Sequence, residues 1–165
     1  MDQHIRRDIQ PRVLEDQRLS TTSIGAGVLF LALDTGRCLF QLRNSDKRQK
    51  NTWGFWGGMM EGSESPFECI QRELIEEIGI VPELQKLNPI DVYQSKDKKF
   101  MYYSFVYVVA SEFIPTLNKE SSGYAWVDIN KWPKPLHNGS FQTLNRNGGS
   151  DKIKTILNIH SLSSR

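Results

Sequence analysis

The amino-acid sequence predicts an α/β fold, a mixed β-sheet held between two helical layers in an α/β/α sandwich, and three observations carry that expectation. Apolar runs of strand length recur along the chain, the first being Ser23 to Leu33 (SIGAGVLFLAL). Two segments of helical spacing fall between and after them, one following Ser65 and one over Asp151 to His160. The turn residues Asp34-Thr35-Gly36 join the first two runs as a hairpin, so antiparallel pairs belong to the sheet alongside crossovers through helices.

Taken in order, Met1 to Thr22 shows paired charges without periodicity and reads as an N-terminal arm, leaving residues 23 to 165 as the folded domain. The strand Ser23 to Leu33 pairs through its turn with CLFQL. The polar stretch Asn44 to Thr52 (NSDKRQKNT) is an exposed basic loop that leads into the aromatic, glycine-rich WGFWGG. After the first helix, Pro89 to Gln94 and Phe100 to Ala110 read as strands. The second is apolar or aromatic on both faces and is expected to be central and covered twice. Gly123 to Asp128 gives a further short strand, and Pro133 and Pro135 break the chain before the last helix.

Composition excludes more than it names. With 165 residues, 38% hydrophobic and 24% charged, the chain suits one soluble globular unit. Its 21 Lys and Arg against 19 Asp and Glu leave a net charge of +2, too little for a nucleic-acid footprint. The first residues contain no apolar run of the kind a secretory signal or a membrane span needs, so a cytoplasmic protein without membrane contact is expected. Cys38 and Cys69 show no metal-ligand spacing and read as buried reduced thiols.

The chemistry-bearing signal is local. Ser65-Pro66-Phe67-Glu68 supplies an N-cap, a proline at the first helical position and a capping-box glutamate, while Gly79 is placed to end the helix in the left-handed conformation. At about 100° per residue, Phe67, Ile70, Leu74 and Ile78 share one stripe, and Glu73, Glu76 and Glu77 another about 110° away. Like charges at this spacing repel by about 0.2 to 0.5 kcal/mol per pair. Arg72 can neutralise one of them, and a hard divalent cation, Mg²⁺ or Mn²⁺, matches the rest. A solvated acidic face is the alternative.

The surroundings decide between the two. Gly58-Met-Met-Glu-Gly-Ser-Glu64, continuing to Arg72-Glu73-Leu74-Ile75-Glu76-Glu77-Ile78-Gly79-Ile80, resembles the Nudix box, G-x5-E-x7-R-E-U-x-E-E-x-G-U, at every specified position. The resemblance implies the family's sandwich and a metal-dependent attack of water on the diphosphate of a nucleotide derivative. By position in the box, Glu73, Glu76 and Glu77 are the implied metal ligands, with the Gly57 carbonyl as a further ligand, Glu64 in support and Arg72 as the orienting counter-charge. In this family the general base sometimes lies in a loop before a late strand, and Glu120 is placed similarly; it is expected to be a base or an extra metal ligand, with Glu73 as the rival base. Arg43 resembles in position a residue that touches substrate phosphates. Trp53, Phe55 and Trp56 could stack on a base or serve as core, and Trp56 stands where many relatives carry proline. Lys47 to Lys50 reads as a solvated loop, with guidance of an anionic substrate by its charge as the alternative, His137 as a turn or capping residue, and Tyr102, Tyr103, Phe105 and Tyr107 as sheet packing.

The substrates implied are ADP-ribose, dinucleoside polyphosphates and similar compounds, cleaved to a nucleoside monophosphate. Sanitising hydrolysis of oxidised or non-standard nucleoside triphosphates is the alternative, and a non-catalytic nucleotide-sensing module is the alternative of another class. Capped RNA as substrate and a homodimer both stay open.

Overall fold

The computed structural model describes residues 22–163, so the expected arm lies, apart from Thr22, outside the described residues. The strands are β1 (Ser23–Ala32), β2 (Arg37–Arg43), β3 (Trp53–Gly54), β4 (Trp56–Met59), β5 (Lys86–Gln94), β6 (Phe100–Val109) and β7 (Ser121–Asp128). The helices are α1 (Pro66–Ile78), the short α2 (Asn138–Phe141), which runs on into a π-helical turn (Gln142–Arg146), and α3 (Gly149–Ser163).

All seven strands join one mixed sheet, in which the path β3-β2-β1-β6-β5 is extended by β4 on β1 and β7 on β2. β1 is the hub. It runs parallel to β6 over its whole length, pairs antiparallel with β4 over Gly25 to Val28, and meets β2 at Phe30 and Leu31. The hairpin follows from its turn, where Gly36 takes φ +71°. β6 is internal between β1 and β5, as its two apolar faces require.

Alternation along β1 divides the core into two layers. Ala26, Val28, Phe30 and Ala32 join Cys69, Ile70, Leu74 and Ile78 of α1 on one side of the sheet. Leu29 and Leu31 meet Phe40, Val106, Val108, Leu144 and Ile153 of the C-terminal layer on the other. Cys38 and Cys69 are free and buried. Among the described residues, no helix is long and apolar enough to cross a membrane.

Three details differ from the sequence reading. The segment WGFWGGM, which the sequence did not assign to any strand, forms two short strands, because its backbone is taken up by β2 and β1. Phe67 is exposed instead of packing with Ile70; it sits in the first helical turn, and Cys69 faces the sheet there, with its thiol 3.6 Å from the Gly58 carbonyl. Glu77, read as part of a presented carboxylate stripe, is buried with Ile78.

Candidate active site

The site lies where β4 passes under α1. Ser65 caps the helix by accepting the Glu68 N–H at 3.2 Å, the Glu68 carboxylate returns to the Ser65 N–H, and Gly79 closes the other end at φ +78°. These caps fix which residues of α1 face β4. Gly57 and Gly58 then make the close approach feasible. Gly57 holds φ +144°, and a Cβ there would overlap the Ala26 carbonyl, while a Cβ on Gly58 would occupy the space of the Glu73 carboxylate.

The four carboxylates of the box are graded by depth. Glu77 is 1% exposed and accepts the Gly57 N–H at 3.0 Å; burial, and then the charge of Glu73, push its carboxyl well above the usual range. Glu73 is raised in the same direction by burial, against the pull of Arg72. Glu76 is exposed. Glu64 is held low by the hydrogen bond from Arg72.

Arg72 organises the row. Its Nε donates to Glu64 at 2.5 Å, Nη1 to Glu73 at 2.9 Å and Glu76 at 3.5 Å, and Nη2 to the Met59 carbonyl at 2.9 Å. It reaches further than the single neighbour expected from helical spacing, and it adds Glu61, at 3.7 Å, which the sequence reading did not single out. Among the described residues, no three His, Cys, Asp or Glu side chains converge as a ready-made cage. The donor set is a line of oxygens along one helix edge.

Glu120 comes to this edge from the loop before β7. Its charge is felt by both Glu73 and Glu77, and its carboxylate pairs with Lys47 at 3.0 Å. Asn118 ties it down, accepting the Glu120 N–H at 2.8 Å and donating to the Glu76 carbonyl at 2.8 Å. Neither Lys47 nor Asn118 was among the residues that the sequence singled out as candidates, since both lie in loops whose positions depend on long-range pairing.

The residues proposed to touch substrate are spread more widely. Arg43 ends β2, and its Nε donates to the Arg48 carbonyl at 3.1 Å. Trp53 is half-buried, and its N–H donates to Pro135. Phe55 is 9% exposed against Phe40, and Trp56 is fully buried with its indole N–H on the Leu39 carbonyl, so of the two readings of these rings the core one describes both. His137 caps α2 by accepting the Gly139 N–H, as a turn residue would, and desolvation with the charge of Arg43 lowers its pKa to about 4. Tyr102 was read as packing. Its ring lies along Gly25 and Gly27, where a Cβ would overlap it, and its hydroxyl is raised by burial and by Glu77. The two glycines in an otherwise bulky strand were the signal for that close approach.

Comparison with known proteins identifies the family and the fold. The family model described as NUDIX domain matches residues 21–146. The chain is similar to the MutT NUDIX hydrolase from Burkholderia pseudomallei, with TM-score 0.60 and 21% identity over 76% of this chain and 97% of that one. It is similar also to the MutT protein from Methanosarcina mazei Go1, with TM-score 0.60 and 22% identity over 81% and 93%. The bifunctional NMN adenylyltransferase/ADP ribose pyrophosphatase from Francisella tularensis aligns at TM-score 0.54 and 18% identity over 96% of this chain and 49% of that protein. With the family match spanning most of the chain, and Glu64, Arg72, Glu73 and Glu77 gathered at the junction of β4 and α1, this chain belongs to the Nudix family.

Proposed function

We propose that the chain hydrolyses the internal diphosphate of a nucleoside diphosphate linked to another moiety, of the ADP-ribose or dinucleoside polyphosphate type, releasing a nucleoside monophosphate. The observation that supports this most is Glu77: a carboxylate buried at 1% exposure, beside Glu73 and accepting the Gly57 N–H, is poised for a cation. Nudix hydrolases generally use divalent metal ions. The residues here fit Mg²⁺ or Mn²⁺, because such an ion binds through a few carboxylates together with waters and substrate phosphates and needs no all-protein cage.

In this reading Glu73, Glu76, Glu77 and the Gly57 carbonyl hold the metal, with Glu64 supporting it through Arg72. When bound, the cation neutralises phosphate oxygens and acidifies the attacking water. Glu120 accepts the proton of that water, and Arg72 keeps the carboxylates apart and aimed. Arg43 and Trp53 are assigned to the phosphates and to the base, with Phe55 acting from beneath as packing. The site is read as cytoplasmic.

A panel of nucleotides with Mg²⁺, including ADP-ribose, a diadenosine polyphosphate, an oxidised guanine triphosphate and a capped RNA, tests the reading through release of monophosphate. ADP-ribose or the dinucleotide is expected to be cleaved. Turnover of the oxidised triphosphate alone would overturn this substrate group, and no turnover at all would favour a sensor.

A further inference from the structure

An anionic diphosphate approaching a row of glutamates needs a cation that is free to meet it. Arg72 is committed to four carboxylates and the Met59 carbonyl. Arg43 donates to the Arg48 carbonyl. Among the described residues Lys47 has one ion pair, with Glu120 at 3.0 Å, and the two side chains are 30% and 37% exposed. A pair this exposed contributes little to stability, so a phosphate can compete for the ammonium with little to overcome.

The loop presents Lys47 from a fixed backbone. Its N–H donates to the Asn44 carbonyl at 3.1 Å, Asn51 N–H to Arg43 at 3.0 Å, and the Thr52 hydroxyl to Gln49 at 2.5 Å. The Gln49 amide anchors the loop to Asn138 N–H at 2.7 Å. Gln49 and Asn51 hold φ +53° and +56°, conformations that non-glycine residues keep only where their surroundings enforce them. The backbone of Glu120, meanwhile, is tied to α1 through Asn118, which accepts its N–H and donates to the Glu76 carbonyl.

We propose that Lys47 is a phosphate-binding residue of this site, held on Glu120 in the free protein and transferred to the diphosphate of the substrate, which leaves the Glu120 carboxylate free while Asn118 anchors the Glu120 backbone beside α1. The proposal rests on the reading of Glu120 given above. Its chemistry is that of an ammonium exchanging one oxyanion for another, with no bond made or broken.

The probe is inorganic pyrophosphate as a competitive inhibitor in the presence of Mg²⁺, alongside KM and kcat for the substrate found in the panel. Lys47→Met is expected to weaken pyrophosphate inhibition and raise KM about tenfold, the effect of losing one charge-assisted contact, with kcat changed much less. Lys47→Arg should restore most of the affinity. The loss caused by Lys47→Met should be larger in a Glu120→Gln background, because the carboxylate no longer competes for the ammonium. Unchanged inhibition, a loss that arginine does not rescue, or coupling of the opposite sign would overturn the proposal. Turnover of Glu120→Gln equal to the parent would instead overturn the role of Glu120, while the pyrophosphate measurements still judge Lys47.

Discussion

Glu77 shows how one residue can be legible by type and misplaced by environment. Helical spacing put it in a stripe of presented carboxylates, but the stripe runs into the edge where α1 meets β4, and Gly57 lets the backbone come close enough to bury it. Burial costs the ionised form, so the folded-state pKa lies above the unfolded value near 4.5. In the pH window above about 4.5 the folded chain therefore binds more protons at this site than the unfolded chain, and stability falls as pH rises through it. Glu77→Gln removes the ionisation and keeps an oxygen for the Gly57 N–H. Urea unfolding in a chelator should show the two proteins alike near pH 4 and the mutant increasingly more stable as pH rises; a constant difference would mean that Glu77 is not destabilised by its burial.

At the scale of elements, the short strand β4 explains why paired glycines precede α1. A Cβ at Gly57 meets backbone on β1, whereas a Cβ at Gly58 first meets the movable end of Glu73. Gly57→Ala should accordingly destabilise the fold by about 1 to 3 kcal/mol, through strain at φ +144° and a backbone clash. Gly58→Ala should melt within a degree or two of the parent yet lose most turnover, because Glu73 is pushed from its place. If Gly58→Ala turned over normally, Glu73 would not need its position. The limits of the helix were legible because caps are local: Ser65, Glu68 and Gly79 declare them within a few residues. β3 and β4 were not, since WGFWGGM lacks a period of two and its pairing depends on β1 and β2, remote in sequence. For the same reason Asn118 stayed hidden and the partner of Lys47 could not be named: a loop residue acquires its partner only when distant elements meet.

For the whole molecule, the row of carboxylates couples folding to metal. The box was fully readable from the sequence because its residues sit on one helix and the turn before it, so the class of reaction could be stated before the sheet was known. What the fold adds is the concentration of negative charge around Glu73, Glu77 and Glu120, with only Arg72 and Lys47 in ion pairs against it among the described residues. A cation that binds this arrangement and not the unfolded chain adds RT ln(1 + [L]/Kd) to stability, about 2.7 kcal/mol at a hundredfold excess over Kd. For a domain of this size, that corresponds to a rise of roughly 5 to 10 °C in Tm. Thermal melts of the parent should move upward by this amount when Mg²⁺ replaces chelator. Glu77→Gln, which begins at or above the parent without metal near neutral pH, should gain less than half as much and end below it. That inversion separates a ligand from a structural residue: a structural Glu77 would make the mutant less stable in chelator, and a bystander would leave its gain from Mg²⁺ equal to that of the parent.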